Sequence, residues 1–240
     1  MPGVWLILPT YDEAENIEAM VEAALPQLAS TGLPHTILVV DDGSPDGTGV
    51  IAERLSSQLA PVEVLHRTRK EGLGRAYLAG FERALADGAD LIMEMDADFS
   101  HDPADLPRMI AAAKTSDLVL GSRYVCGGGV TNWGVVRRAL SWGGSTYARI
   151  LLGVPVRDLT GGFKCFNRRV LDTIGLAGVH ADGYGFQIEL TYRAIKAGFS
   201  VTEVPIYFRE RRVGQSKMNA RIALEAVWKV PALRFRRKAP

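Results

Sequence analysis

Two aspartates two residues apart, Asp96 and Asp98, follow the apolar run Leu91–Met95. On extended chain, carboxylates at i and i+2 point to one side and can share a cation. Oxygen ligands suit Mg²⁺ or Mn²⁺, hard ions that commonly bridge carboxylates and substrate phosphates. An ion held there would neutralise a departing diphosphate. An Asp-x-Asp pair is also simply a polar turn after a strand. Its place at a strand's carboxyl end, where parallel α/β sheets bind ligands, favours the chemical reading. Asp41 and Asp42 end another apolar run and open the loop Asp-Asp-Gly-Ser-Pro-Asp-Gly. Acids in that position can hydrogen-bond a ribose or base, although this composition also satisfies an Asx-type turn with no ligand at all. Arg123, Arg137, Arg138, Arg211, Arg212 and Lys217 gather in the later part of the chain. Guanidinium groups grip phosphates with paired hydrogen bonds, yet each of these residues taken singly is an ordinary solvated charge. The four histidines have no metal-ligand spacing, and no Ser-His-Asp arrangement is visible.

These residues need a frame that brings strand ends together, and the apolar pattern supplies one. Val4–Pro9 is a nearly continuous apolar run, as in a buried parallel strand. Ile17, Met20, Val21, Ala24, Leu25 and Leu28 recur at helical spacing, with Asp12 and Glu15 arranged as a capping box. Strands are predicted at Thr36–Val40, Val62–His66, Leu91–Met95 and Leu118–Leu120. Helices are predicted at Thr48–Leu59, Gly74–Asp87 and Pro103–Lys114, the last with proline near its first position. Past residue 122 the pattern loosens: a glycine loop at Gly127–Gly129, a helix at Arg137–Leu152, a turn at Asp158–Gly162, a helix at Gln187–Ala197, a strand at Val201–Val204 and a proline-interrupted helix at Lys217–Arg237. The alternation predicts a mostly parallel sheet covered by helices on both faces, with the acidic loops on its carboxyl edge. No internal repeat or linker divides residues 1–240, so a single domain is expected.

Composition bounds the rest. The chain has 240 residues, 47% hydrophobic and 23% charged, which is globular and not disordered. Two cysteines, Cys126 and Cys165, make no disulfide framework. The amino-terminal run lacks a basic segment and ends at Pro9, so it is expected to be a first strand and not a signal peptide. No apolar run approaches the ~18 residues of a membrane span. Net charge is +1, but Lys217–Pro240 holds seven basic residues and one acid, leaving +6 there and −5 on the remainder. Such asymmetry suggests an anionic partner for that basic end. Ile222, Leu224, Val227, Trp228, Val230, Leu233 and Phe235 lie between the charges, a composition suited to the membrane interface and equally to packing on the domain.

Pro9-Thr10-Tyr11-Asp12-Glu13-Ala14-Glu15-Asn16, Asp41-Asp42-Gly43-Ser44-Pro45-Asp46-Gly47-Thr48, Gly72-Leu73-Gly74 and Asp96-Ala97-Asp98-Phe99-Ser100-His101 together resemble the dolichol-phosphate (polyprenyl-phosphate) mannose synthases. These are family 2 glycosyltransferases of the GT-A, Rossmann-like fold. Gly121-Ser122-Arg123-Tyr124, Asp158-Leu159-Thr160-Gly161-Gly162-Phe163-Lys164, Gly183-Tyr184-Gly185-Phe186-Gln187-Ile188-Glu189 and Gly214-Gln215-Ser216-Lys217 extend the resemblance over nearly the whole chain, in order. It implies transfer of mannose from GDP-mannose to a polyprenyl monophosphate, with inversion. It implies that Pro9, Tyr11, Glu13, Val40 and Asp42 hold the guanosine, and that Asp96 and Asp98 bind Mg²⁺ or Mn²⁺, with backbone at Ala97 on the nucleotide. Ser100 stands where some members have a metal-ligating glutamine, and serine is the poorer ligand. Arg123 and Arg137 would meet donor and acceptor phosphates, and Arg211 and Lys217 would close over the diphosphate. Some members carry membrane helices that this sequence lacks, so it resembles the short form, which commonly relies on a separate membrane-anchoring protein. The expected place is the cytoplasmic face of a membrane, with no nucleic-acid partner.

A phosphate nucleophile, whose second pKa is about 6, needs no strong general base. That agrees with the missing catalytic histidine. A nicotinamide-binding enzyme is disfavoured because Tyr77 stands where Gly72-Leu73-Gly74 would need a further small residue, and the glycines follow the third strand. An Asp-x-Asp phosphatase is disfavoured because that chemistry resembles enzymes whose pair follows the first strand, and here the pair follows the fourth. A lipid-binding adaptor has no need of Asp96, Asp98 and Arg123 together. A donor such as UDP-glucose or UDP-N-acetylglucosamine stays open.

Overall fold

The computed structural model describes residues 3–179, 181, 183–210 and 230–234. Its strands are β1 (Val4–Thr10), β2 (His35–Asp41), β3 (Val62–His66), β4 (Leu91–Glu94), β5 (Leu118–Ser122), β6 (Gly129–Val130), β7 (Lys164–Asn167), β8 (Val201–Pro205) and β9 (Tyr207–Phe208). Its helices are α1 (Ile17–Ala29), α2 (Thr48–Gln58), α3 (Leu73–Ala86), α4 (Leu106–Ala112), α5 (Val135–Leu152), α6 (Arg168–Thr173) and α7 (Gly183–Lys196). Seven strands form one sheet in the order β3-β2-β1-β4-β7-β5-β8, and β6 pairs with β9 beside it. Only β7 runs antiparallel to its neighbours in the large sheet.

Period-2 alternation explains the two faces. Val4, Leu6 and Leu8 of β1 enter one core with Ile17, Met20 and Val21 of α1, Leu55 of α2 and Leu106 of α4. Trp5 and Ile7 enter the other with Tyr77 and Phe81 of α3 and Phe186 and Leu190 of α7. The helical layer lies close to the strands: a Cβ on Gly80 of α3 would stand 2.5 Å from Cγ2 of Ile7. Among the described residues, no helix is long and apolar enough to cross a membrane.

Three expectations need correction. The capping box of Asp12 and Glu15 is not made. Asn16 is the N-cap of α1 and donates its side-chain amide to Glu13 Oε2 at 2.9 Å, while Asp12 adopts φ +55°. The helix expected over 103–114 opens as a 3-10 turn, Pro103–Asp105, because Asp102 accepts from Ala104 N and Pro107 starts a fresh helix. Strand β7 and helix α6 lie where the apolar pattern predicts no element. Running antiparallel, β7 begins at the edge where its parallel neighbours end, which delivers residues 158–163 to the acidic loops. Of the proline-interrupted helix expected over 217–237, only 230–234 falls among the described residues, and it is helical.

Candidate active site

The chain leaves β4 and turns at Phe99, φ +61°. Ser100 N donates back to Asp98 Oδ1 at 3.0 Å, so Asp98 is buried against its own turn while Asp96 keeps about a third of its side chain exposed. Tyr77 of α3 donates its hydroxyl to Asp96 Oδ1 at 3.4 Å. His101 lies beneath, its Nδ1 accepting from Asp96 N at 3.4 Å and 3.9 Å from Asp96 Oδ2. Burial lowers the imidazole pKa to about 4, overcoming the Asp98 carboxylate that favours its charge, so it is neutral at pH 7. The hydroxyl of Ser100 is buried with no hydrogen-bond partner. A buried orphan oxygen beside two carboxylates fits a hard divalent cation. Among the described residues no three His, Cys, Asp or Glu side chains gather as a metal site. Such an ion would therefore depend on substrate phosphates or water to complete its shell.

The ends of β1 and β2 lie beside this turn. Asp42 N donates to Thr10 O at 3.1 Å. The loop after β2 is stitched to the loop after β1: Glu13 N donates to Thr48 Oγ1 at 2.9 Å, Ala14 N to Asp46 Oδ2 at 2.9 Å and Asp12 N to Ser44 Oγ at 3.2 Å. Asp41 serves the turn, accepting from Ser44 Oγ at 2.5 Å. Asp42 instead takes Arg67 Nη1 at 2.5 Å. Burial raises the Asp42 pKa, and Arg67 works against that rise. Lys70 Nζ sits 3.9 Å over the Tyr11 ring. Pro9 is half-buried. The side chains of Val40 and Ala97 belong to the core, which leaves their backbones to face a ligand.

Arg123 is not presented as a free phosphate hand. Its side chain is 4% exposed and grips Asp158 through Nε and Nη2, each at 2.7 Å. Its backbone N–H donates to Asp158 Oδ2 at 2.9 Å, and Nη2 also reaches Thr160 Oγ1 at 2.8 Å. Burial works to raise the Asp158 pKa, but Arg123 outweighs it and holds the carboxyl below its usual range. Glu203 of β8 fixes the same corner, accepting from Ser122 Oγ at 2.7 Å and Asp158 N at 2.9 Å. Arg137 is different. It is 43% exposed, touches Glu210 at 3.3 Å and lies 4.3 Å over the Trp133 ring. Trp133 packs on Phe208 at 5.3 Å, and Phe208 on His101 at 5.1 Å, so an aromatic chain joins Arg137 to the aspartate turn. Arg211 and Lys217 lie outside the described residues. Arg209 N donates to Ser100 O at 3.0 Å, tying the segment before Arg211 to that turn.

Sequence reasoning missed Asp158, Arg67 and the buried pair Glu94–Lys164. Glu94 and Lys164 are register partners on β4 and β7 and are fully buried. Burial raises Glu94 to about 7 against the attraction of Lys164, and lowers Lys164 to about 8 against that of Glu94. Lys164 Nζ donates to Gln187 O at 2.7 Å, anchoring α7 beneath the site. Arg67 was open to discovery, since it follows β3 on the same sheet edge. Asp158 stood inside a motif read as a turn and as part of the family resemblance, with no role given to its carboxylate.

The model of Glycosyl transferase family 2 matches residues 5–175. The chain is 50% identical over 230 residues to a polyprenol monophosphomannose synthase of Mycolicibacterium smegmatis, covering 94% of this chain and 84% of that one. It is 46% identical over 224 residues to an undecaprenyl-phosphate mannosyltransferase of Micrococcus luteus, covering 93% and 90%. Among solved structures, glucosyl-3-phosphoglycerate synthase from Mycobacterium tuberculosis in complex with Mn²⁺, UDP and phosphoglyceric acid superposes with a TM-score of 0.72. At 18% identity, covering 99% of this chain and 80% of that one, this likeness speaks to the fold alone.

Proposed function

This chain belongs to glycosyl transferase family 2, and on that premise we propose that it transfers mannose from GDP-mannose to a polyprenyl monophosphate with inversion at the anomeric carbon. The observation that carries the reading is the turn Asp96-Ala97-Asp98 with the orphan hydroxyl of Ser100, set on the sheet edge beside Asp42 and Glu13. Two mannosyltransferase relatives near half identity support the sugar and the acceptor class.

In this reading Asp96, Asp98 and Ser100 hold Mg²⁺ or Mn²⁺, which when bound supplies positive charge to the departing diphosphate. Asp42 and Glu13, with backbone at Pro9, Val40 and Ala97, hold the nucleoside beside Tyr11. Arg137, exposed and steadied on Trp133, receives the lipid phosphate. That phosphate is largely ionised at neutral pH and attacks without a general base. His101, neutral and enclosed by Phe163 and Phe208, shapes the floor under Asp96. Arg123 contributes by fixing Asp158 and Thr160, the corner through which the 158–163 loop meets the turn. Arg211 and Lys217 would close over the diphosphate. The proposal includes a single catalytic domain over 1–240, action at the cytoplasmic face of a membrane and a basic end, Lys217–Pro240, that meets anionic headgroups or a separate anchoring protein.

The test is transfer by purified protein from GDP-mannose to a polyprenyl phosphate with Mg²⁺ or Mn²⁺, against UDP-glucose as competing donor. Mannolipid should form only with metal and only from GDP-mannose. Asp98→Ala should abolish it, weaken metal-dependent GDP binding and leave the circular dichroism unchanged. Equal GDP–Mg²⁺ affinity in Asp98→Ala and the parent would remove Asp98 from the ligand set, and preferred use of UDP-glucose would overturn the donor.

A further inference from the structure

Tyr77 is the residue that takes the glycine motif out of the nicotinamide-binding pattern, and the fold puts it against the aspartate turn. Its side chain is fully buried, with the ring stacked on Phe81 and on Phe186 at 6.0 Å each. The close approach of α7 to α3 depends on Gly74, where a Cβ would stand 3.0 Å from Phe186 Cδ2 and 3.0 Å from Ala181 O. The ring is thus clamped, and its hydroxyl is aimed at Asp96 Oδ1, 3.4 Å away. Burial first, and then the Asp96 carboxylate, raise the phenol pKa well above its usual 10, so the hydroxyl keeps its proton and donates it to that bond.

We propose that Tyr77 is a positioning residue for the metal: its buried hydroxyl fixes the direction in which the Asp96 carboxylate faces the cation. The inference rests on the reading that Asp96 and Asp98 ligate a divalent ion, and it adds a residue outside that ligand set. The two aspartates are held differently. Asp98 is turned by a backbone donor, Ser100 N at 3.0 Å. Asp96 stands two residues beyond Glu94, where the pairing of β4 with β1 ends, and 31% of its side chain is exposed. The sheet ladder therefore does not orient it. His101 Nδ1 accepts from Asp96 N and so has no proton to give the carboxylate. Tyr77 supplies a donor from the buried side and leaves the exposed side to the cation. A buried tyrosine hydroxyl needs a partner in any case, which is the plainer reading. That reading does not account for the choice of partner, a carboxylate that water could solvate instead, met by a ring whose place is fixed on both sides. Donors behind metal ligands orient them, and losing one costs about 10–100-fold in metal affinity or activity. At 3.4 Å this bond is long, which places the expected effect at the lower end.

The experiment is calorimetry of GDP binding to the full chain, in Mn²⁺ and in EDTA, for the parent and Tyr77→Phe. Phenylalanine keeps the stack on Phe81 and Phe186 and removes only the hydroxyl. Affinity for GDP in Mn²⁺ should fall about tenfold, while affinity in EDTA and the melting temperature stay with the parent. The concentration of Mn²⁺ needed for half-maximal GDP binding should rise by a similar factor, and saturating Mn²⁺ should restore most of the loss. In a double-variant cycle, Tyr77→Phe should cost nothing further once Asp96→Asn is present, because the hydroxyl acts through that carboxylate. Unchanged Mn²⁺-dependent affinity in Tyr77→Phe overturns the proposal. So does an equal loss in EDTA, full additivity with Asp96→Asn, or a Tyr77→Phe chain that does not fold, since the hydroxyl then serves the core. A parent that binds GDP equally with and without Mn²⁺ removes the metal reading of Asp96 and this proposal with it. If no acceptor is ever mannosylated but Tyr77→Phe still weakens Mn²⁺-dependent GDP binding alone, the functional reading fails and the positioning role stands.

Discussion

Replacing Arg123 with methionine tests whether this arginine is a phosphate hand or a buried strut. The structure gives it two charge-assisted bonds to Asp158 at 2.7 Å, a third to Thr160 at 2.8 Å and a 4% exposed side chain. Removing one partner of such a pair leaves the other charge buried and unpaired, which costs about 3–5 kcal/mol. In a domain of this size about 1 kcal/mol shifts Tm by 2–4 °C, so Arg123→Met and Asp158→Leu should each melt roughly 6–20 °C below the parent. The double variant Arg123→Met/Asp158→Leu should recover most of the loss, because an apolar pair of similar volume often matches a buried ion pair. Recovery stays incomplete, since Asp158 also accepts the Arg123 backbone N–H at 2.9 Å and an orphaned donor costs about 1–3 kcal/mol. Thermal unfolding followed by circular dichroism gives the three terms of the cycle, and calorimetry with GDP and Mg²⁺ gives nucleotide affinity in parallel. The reasoning is refuted if Arg123→Met melts within about 2 °C of the parent while losing nucleotide affinity, for then the guanidinium serves the ligand and not the fold.

Arg137→Ala should leave the melting temperature and GDP affinity nearly unchanged, because its contact with Glu210 is a surface ion pair of little worth. It should lower the transfer rate by about 2–4 kcal/mol in transition-state terms, and equal losses in binding and transfer would contradict the acceptor role. Glu94, raised from its usual 4.5 to about 7 chiefly by burial, binds its proton more tightly folded than unfolded. Its contribution is therefore full at acid pH and is lost as pH climbs from 4.5 through 7. Lys164, lowered from 10.5 to about 8, has the opposite sign, and stability returns as pH rises from 8 towards 10.5. Denaturant midpoints across that range should show the fall between pH 4.5 and about 7 in the parent and not in Glu94→Gln; an unchanged slope in the variant would assign the fall to another group. Gly80→Ala should destabilise by about 1–2 kcal/mol, since overpacking against Ile7 exceeds the gain in helix propensity. A higher Tm in urea-free buffer would show that α3 can back away from β1.

The layered parallel sheet, the acidic strand ends and the placing of Asp96, Asp98 and Asp42 on one edge were legible in the sequence. Each rests on a local signal: runs such as Val4–Pro9 must be buried, helical spacing such as Ile17–Leu28 must cover them, and polar loops after strands then share an edge. Partners were not legible. Arg123 and Asp158 lie 35 residues apart, and nothing in a list of arginines distinguishes one that is buried from Arg137, which is not. β7 escaped because Lys164 and Asn167 interrupt its apolar pattern; only pairing with β4 and β5 makes a strand of it and sets Lys164 against Glu94. Val136, Leu140 and Ile150 of α5, all exposed, read in sequence like any core face, because periodicity tells which residues share a side and not which side meets solvent. Spacing along the chain fixes local geometry. Which charges are buried, which are paired and which apolar face is left open are decided by contacts between segments far apart, and only the packed molecule sets those.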